Sequence, residues 1–461
     1  MEKEKHKTGK EKSLEYSIKD GTAFSVMTGF GEQYLSPLAI ELGATNTQIG
    51  LLASVPQFIG SVIQLCTSKA ARHFRSRRTM ITFFVFLQAL TWIPLAIIPV
   101  LDSTQDITLL IVFVTLYYSF GQFVAPVWNS LIGDLVDANA RGRFFGMRNK
   151  ITGATAFISL VAAGSILSAL PKNELLQGFS LIFIIALAAR IISWHYLGKT
   201  GDPPARPGRI EEFSFIGYLS RLRKTNYGKF ALYYGFMNFS VNVAAPFFAV
   251  YMLRDLRMSY IEYTLITAAA ALTSFLAMTY WGNLADRFGN KRILGLCGIS
   301  LTIVPLFWLF SSDVSYLIAA QIVSGFVWAG FNLSSSNFVY DNVRPQNRTR
   351  VFSYHNVLSG TSIFLGAMAG SLLALSINTP WVFHSNLQVL FLISGIMRAA
   401  TSLYFLPMIR EMRYVEPISQ RDFFLKYNGT GPFIGLTYRT VTGLHHSFRR
   451  IRGKKNREGI Y

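Results

Sequence analysis

The chain has 461 residues, of which 51% are hydrophobic and only 15% charged, with 38 Phe. A water-soluble domain of that length would have too few charged groups to cover its surface, so the bilayer is the natural solvent. The formal net charge of +20 gathers in loops and tails, which makes it a signal of membrane topology more than of nucleic-acid binding.

The first 17 residues form a basic tail, too polar through Lys19 to open a cleavable signal. Twelve stretches then meet the requirement of about 20 mainly apolar residues per span, at roughly 18–42, 46–70, 79–100, 107–134, 145–170, 176–197, 229–253, 259–282, 293–311, 314–339, 351–375 and 386–408. An even number puts both termini on one side. Lys and Arg crowd the N-terminal tail, 72–78, 141–150, 199–229, 287–292, 344–350 and the C-terminal tail, whereas 43–45, 101–106, 312–313 and 376–385 carry none. The positive-inside rule therefore predicts an inner-membrane protein with both termini in the cytoplasm, against the weak exceptions Lys172, Arg254 and Arg257. The C-terminal tail over 411–461 has the composition of a segment attracted to anionic inner-leaflet lipid.

Cys66 and Cys297 fall toward the cytoplasmic ends of their spans, so neither a disulfide nor a metal pattern is expected. The Asn-x-Ser/Thr matches at Asn238, Asn332, Asn347 and Asn428 lie in spans or on the cytoplasmic side, where glycan is not expected. Gly201-Asp-Pro-Pro204 and Arg206-Pro-Gly208 break helices within 198–228, a linker between bundles at 18–197 and 229–410.

The two bundles are duplicates. Trp281-Gly-Asn-Leu-Ala-Asp-Arg-Phe-Gly-Asn-Lys-Arg292 has a worn copy, Thr67-Ser-Lys-Ala-Ala-Arg-His-Phe-Arg-Ser-Arg-Arg78, at an offset of 286 − 72 = 214. Asp134-Leu-Val-Asp-Ala-Asn-Ala-Arg-Gly-Arg143 aligns without gaps on Asp341-Asn-Val-Arg-Pro-Gln-Asn-Arg-Thr-Arg350, and Gly153 maps to Gly360. Long internal repeats flanked by apolar spans are a mark of transporters.

On these residues the chain resembles the major facilitator superfamily across roughly 18–410. Gly282-x3-Asp286-Arg287-x-Gly289-x-Lys291-Arg292 is similar to that superfamily's signature loop. The resemblance implies an all-α fold of twelve transmembrane helices in two pseudo-symmetric six-helix bundles, which rock about a site lined mainly by spans 1, 4, 7 and 10. The first-half copy departs from the signature at Ser68, Arg72 and Arg75, and span 5 lacks the Gly-Pro-x-x-Gly-Gly pattern of drug/proton antiporters.

Gly289 suits a tight reversal, Asp286 can accept from a helix N-terminus or an Arg, and Arg287, Lys291 and Arg292 anchor the inner face, so this loop is expected to act as a conformational latch. Asp134 with Arg141 and Arg143, and Asp341 with Arg348 and Arg350, are further candidates, with ordinary interfacial ion pairing as the alternative.

Polar stripes at 3- or 4-residue spacing mark four spans. Span 1 carries Ser25, Thr28, Glu32 and Ser36, and span 4 carries Tyr118, Gln122, Pro126, Asn129 and Gly133. In span 7 Tyr234, Asn238 and Asn242 align, and in span 10 Gln321, Trp328, Asn332 and Ser335. Lipid cannot satisfy such groups, so they are expected to face a cavity or neighbouring helices. Tyr34, Trp128 and Phe331 are within reach of it.

Glu32 lies about 18 Å along a helix from Asp20, near mid-membrane. A carboxylate is costly to ionise there, which lets protonation be coupled to conformation or substrate. Arg190 and Arg398 lie 398 − 190 = 208 residues apart in spans 6 and 12, and are expected to snorkel to the inner interface. Gly366-x3-Gly370 is expected to pack helices closely.

No phosphate-binding loop, nucleophile elbow or His/Cys metal set is present, so ATP-driven pumping, enzymatic activity and cofactors are not expected. The leading expectation is a proton-coupled secondary transporter of a small organic solute. With no Lys or Arg deep in the four lining spans, a neutral, amphipathic or cationic solute fits better than a phosphorylated one. A transporter-fold sensor and a lipid or lipid-linked-sugar flippase are the alternatives.

Overall fold

A computed structural model of the chain describes residues 2–71, 73–101, 106–136, 141–203, 215–343, 347–377, 383 and 385–412. The basic C-terminal tail from 413 and linker residues 204–214 lie outside them.

The described residues are helical throughout the expected spans. Span 1 comprises α1 (Glu2–Phe30), a 3-10 turn (Glu32–Tyr34) and α2 (Leu35–Glu41). Span 2 is α3 (Asn46–Gln64) with the short α4 (Thr67–Ala70), and span 3 is α5 (Arg77–Leu90) followed by α6 (Trp92–Ile97). Spans 4, 5 and 6 are α7 (Asp106–Leu135), α8 (Arg141–Ala169) and α9 (Leu175–Lys199). A linker helix, α10 (Phe215–Arg221), precedes span 7, which is α11 (Asn226–Asn242), α12 (Phe247–Val250) and a π turn (Tyr251–Asp255). Spans 8 to 12 are α13 (Tyr260–Phe288), α14 (Asn290–Ser300) with a 3-10 turn (Val304–Leu309), α15 (Val314–Asn342), α16 (Arg348–Ser376) and α17 (Asn386–Phe405).

Ten of these helical stretches are long and apolar enough to cross a bilayer, and spans 1 and 2 complete the twelve. Their starts are written locally. Thr45 with Gln48, Ser259 with Glu262 and Ser385 with Gln388 form capping boxes, and Ser76, Thr225 and Asp313 accept from first-turn amides. Each cap contributes about 1 kcal/mol.

The N-terminal tail is not a separate segment, because α1 runs unbroken from Glu2 into span 1. Glu- and Lys-rich sequence favours helix, and two contacts hold it to the first bundle. Ser13 Oγ accepts from Gly201 N at 3.0 Å, and the Tyr16 and Tyr196 rings stack at 6.2 Å.

Spans 1–6 pack with one another, as do spans 7–12, and the two bundles meet along spans 2 and 11 and along spans 5 and 8. The meeting points repeat. A Cβ on Gly153 would stand 2.9 Å from the Phe275 ring, and one on Gly360 would stand 2.4 Å from Ser61 Oγ. The offsets, 360 − 153 = 207 and 275 − 61 = 214, match those of the duplicated sequence segments. Glycine at both places lets the backbones approach.

We call the end of the bundles that carries the basic loops and the linker the basic face. At the opposite face the bundles are joined by a seam of hydrogen bonds. Tyr34 Oη bonds Thr264 Oγ1 at 2.9 Å, Tyr260 Oη donates to Glu41 at 3.0 Å, and Arg254 donates to Asn46 at 2.7 Å. Toward the basic face the ends of spans 2, 4, 5, 10 and 11 surround a cavity of about 690 Å³.

Arg190 and Arg398 do not snorkel. Both are buried, at 5% and 2% exposed, and turn into their bundles. Arg190 is nine residues from the end of α9 at Lys199, about 14 Å at 1.5 Å per residue, too deep for the side chain to reach the interface.

Candidate transport site

The break in span 1 sets the site. Where α1 ends, the 3-10 turn turns the Glu32 carboxylate into the first bundle, where the Tyr117 hydroxyl of span 4 donates to it. Tyr117 is itself fixed edge-on against Trp92 at 5.1 Å. Its backbone carbonyl accepts from Gln88 Nε2 of span 3 at 3.1 Å. Gln88 Oε1 in turn accepts from Arg190 Nε at 3.0 Å and Nη2 at 2.5 Å. Arg190 Nη1 donates to Ser193 Oγ at 2.8 Å, and Ser193 donates to Asp20 Oδ1 at 2.7 Å.

A chain of polar contacts thus runs from Glu32 to Asp20 through spans 4, 3 and 6. Satisfied networks of this kind are how a bundle tolerates buried charge, since an isolated ion would cost several kcal/mol. Arg148 of span 5 closes the far end. Its Nε donates to Ser17 O at 3.2 Å, its Nη2 lies 3.9 Å from Asp20 Oδ2, and its guanidinium sits 4.7 Å from the centre of the Trp128 ring.

These groups line a cavity of about 370 Å³ that also takes in Tyr118, Gln122 and Phe24. Three of the sequence-derived stripe residues meet here, Glu32, Tyr118 and Gln122, together with Trp128, which the sequence placed within reach of a cavity. Gln122 and Asn129 also line the larger cavity between the bundles, with Gln64, Asp134, Tyr340 and Asn356.

The other stripe residues lie elsewhere. Ser25 and Thr28 donate to their own helix, to Gly21 O at 2.8 Å and Phe24 O at 3.0 Å. Tyr34 belongs to the opposite-face seam, donating also to Leu160 O at 2.8 Å, and Ser36 is half-buried just beyond it. Asn238 and Asn242 likewise bond carbonyls of their own span, Tyr234 O at 2.9 Å and Asn238 O at 2.8 Å. Tyr234 stacks on Phe331 and packs against His355. Trp328 meets Phe331 edge-on, Gln321 is half-buried, Asn332 is exposed on the face that leads to Tyr340, and Ser335 is buried.

Asp20, Gln88, Tyr117, Arg148 and Arg190 were not singled out as site residues from sequence. Two of them correct the solute argument. Arg148 and Arg190 lie in spans 5 and 6, outside the four spans searched for cations, yet both line the cavity that holds Glu32. The preference for a neutral, amphipathic or cationic solute rested on the absence of Lys and Arg deep in spans 1, 4, 7 and 10 alone.

The loops at the basic face are asymmetric. Gly289 has φ 87, as the tight reversal after α13 requires, and Asp286 and Arg287 are exposed in the last turn of that helix. Gly282 lies one turn earlier. Lys291 N donates to Glu411 at 2.8 Å and Arg292 Nη1 to Phe288 O at 3.4 Å. Asp341 accepts from Asn290 Nδ2 at 2.6 Å.

In the first half, Asp134 is bonded by Arg77 at 2.7 Å, and Arg77 also reaches Asp202 at 3.3 Å and Pro203 O at 2.6 Å. The expected partners Arg141 and Arg143, and likewise Arg348, have side chains outside the described residues, and Arg350 is half-buried. Arg77 is the worn loop's counterpart of Lys291, since 291 − 77 = 214.

The profile of the Major Facilitator Superfamily matches residues 22–243 and again 230–421. The chain belongs to the major facilitator superfamily. It is an integral, multi-pass membrane protein of a transporter family. An MFS-type transporter of Aspergillus terreus is 26% identical over 133 residues, 29% of this chain and 24% of that protein. The quinolone resistance protein NorA of Staphylococcus aureus is 25% identical over 172 residues, 36% of this chain and 44% of NorA. The matched segments thus span from about a quarter to under half of these curated relatives.

Among solved structures, the nucleoside transporter NupG superposes with a TM-score of 0.63 at 14% identity, over 87% of this chain and 99% of that one. A bacterial homologue of the iron transporter ferroportin, in an inward-facing state, superposes at 0.61 and 14%, over 87% and 98%. At such identities the likeness is one of fold, and it is the superfamily's twelve-helix fold.

Proposed function

We propose that this superfamily member is a secondary active transporter of a small organic solute, driven by the proton gradient, with Glu32 as the coupling carboxylate. The observation that carries the reading is a carboxylate at the break of span 1, aimed into a cavity and held by the Tyr117 hydroxyl. A carboxylate so placed exchanges a proton at a cost that hydration of the cavity changes, which ties its charge to conformation. Both termini lie in the cytoplasm of a cell membrane in this reading, on the strength of the Lys and Arg distribution.

The moving bodies are 18–197 and 229–410, tethered by 198–228; the basic-face contacts Arg77–Asp134 and Asn290–Asp341 lie within one body each and brace the loops that act as latches. Breaking the opposite-face seam while closing the basic face is the rocking step.

The test is Glu32→Gln in reconstituted vesicles. Gln keeps the size and hydrogen bonding of the protonated acid without titrating. The variant is expected to exchange solute down its own gradient and to lose accumulation driven by a pH gradient. Concentrative uptake by the Gln variant with only a proton gradient supplied would make Glu32 structural. Absence of solute counterflow in the wild type would point to a sensor.

A further inference from the structure

We infer that Arg148 docks an anionic group, most simply a carboxylate, on a solute whose planar apolar body lies against the aromatic wall of the same cavity; this rests on the transport reading above for the word solute.

Four observations carry it. First, Arg148 and Arg190 are held differently. Arg190 spends Nε, Nη1 and Nη2 on Gln88 and Ser193, whereas Arg148 donates only Nε, to Ser17 O, and its Nη2 stands 3.9 Å from Asp20 Oδ2, beyond hydrogen-bond distance. The edge of a guanidinium that suits a carboxylate bidentately is therefore available.

Second, the position is prepared. Trp128 lies under the guanidinium at 4.7 Å, and a Cβ on Gly21 would stand 2.6 Å from Arg148 Nη2, so a glycine leaves the room the group occupies.

Third, the lining charges do not cancel in every protonation state. The cavity walls carry Asp20 and Glu32 against Arg148 and Arg190. With Asp20 ionised and Glu32 protonated, one positive charge is left over, and a monoanion neutralises it. Proton and anion then favour each other's binding, as a symported pair would. Tyr117 and Tyr118 from span 4 are the other titratable groups facing this space.

Fourth, the size fits. At about 30 Å³ per water, 370 Å³ has room for roughly twelve, comparable to the heavy atoms of a single fused-ring carboxylate, and Phe24, Tyr118 and Trp128 supply apolar faces.

The test is equilibrium binding, with no gradient, to the full chain in phosphatidylcholine nanodiscs. The probes are three of one shape: indole-3-acetate, the neutral indole-3-acetamide and the cationic tryptamine. Indole-3-acetate at up to about 10 mM is expected to raise the unfolding temperature by mass action, and the other two are not. Arg148→Lys, which keeps the charge but loses the fork, is expected to weaken that binding at least about tenfold, and Arg148→Gln to abolish it. Glu32→Gln, which fixes the neutral state that leaves one positive charge over, is expected to tighten it.

Equal stabilisation by all three probes, no stabilisation by the carboxylate, or undiminished binding in Arg148→Gln would overturn the inference. So would an effect that appears only when phosphatidylglycerol is added, which would assign Arg148 to lipid headgroups. Anion binding without gradient-driven accumulation of any solute would leave the site standing and sink the transport reading; accumulation with binding indifferent to Arg148 would do the reverse.

Discussion

The two halves of the molecule hold the same scaffold positions and fill them with different chemistry. Asp20 and Arg148 face each other in the first bundle at 3.9 Å. The counterpart of Arg148, at the offset 355 − 148 = 207, is His355, which bonds Tyr227 of span 7 at 3.2 Å. The first pair borders the cavity that holds Glu32, whereas in the second Tyr227 borders a separate pocket of about 360 Å³ and His355 is packed among Phe230 and Tyr234, with rings 5.9 Å and 4.8 Å away. The buried arginines diverge likewise. Arg190 leads through Ser193 to a carboxylate, while Arg398 donates to Ser394 Oγ and Leu301 O, both at 3.1 Å. The same kind of contact between neighbouring helices is charged in one half and aromatic in the other.

Exchanging the two pairs tests that division most severely. Asp20→Tyr with Arg148→His gives the first bundle the second bundle's pair. The protein is expected to fold and insert, while gradient-driven accumulation falls by about a hundredfold or more. The reciprocal Tyr227→Asp with His355→Arg is expected to damage folding first, because it buries charge among aromatic rings. Normal accumulation in the first exchange would end the claim that charge is functional in one half only.

A smaller effect, on stability, separates the two arginines. Arg190→Met leaves Gln88 without its cation and Ser193, which bonds Asp20, without its donor, and is expected to cost about 3–5 kcal/mol. Arg398→Met removes bonds to a hydroxyl and a carbonyl, at about 1–3 kcal/mol. Detergent-induced unfolding of the purified variants measures the gap, and equal costs would mean that Asp20 does not depend on Arg190.

The latches should differ by less. Asp134→Asn weakens the Arg77 contact and Asp286→Asn the second-half loop; both are expected to slow exchange while leaving solute affinity within a few fold. Transport and binding measured side by side would show whether the two loops share the load. Least of all, Gly289→Ala is expected to cost about 1 kcal/mol, because φ 87 strains any residue with a Cβ.

Spans, loops and duplication were legible in the sequence because each is a one-dimensional pattern: apolar length, basic clustering, a fixed offset. The site was only partly so. Glu32 stood out as an acid far from either end of an apolar stretch, and Tyr118 and Gln122 followed from helical spacing. Asn238 and Asn242 share that spacing yet bond carbonyls of their own span, an outcome periodicity cannot distinguish from a cavity wall. Arg190 carried a usable signal, its distance from the end of span 6, which exceeds the reach of a snorkelling side chain. Arg148 and Asp20 did not, since each sits near a span end where a charge is ordinary and only packing brings them together.

The seam on the opposite face is made of bonds that solvent can take over. It is stitched by a phenol to a threonine, a phenol to a carboxylate and a guanidinium to an amide, each a bond that water can replace with a net loss of about 0.5–1.5 kcal/mol. Apolar side chains lie along the same line, with Phe179 meeting Tyr260 edge-on at 5.7 Å, and they resist parting in proportion to the area they bury. The solvent holds part of that balance, so excluded osmolytes such as sucrose, which penalise newly wetted surface, should press the seam shut.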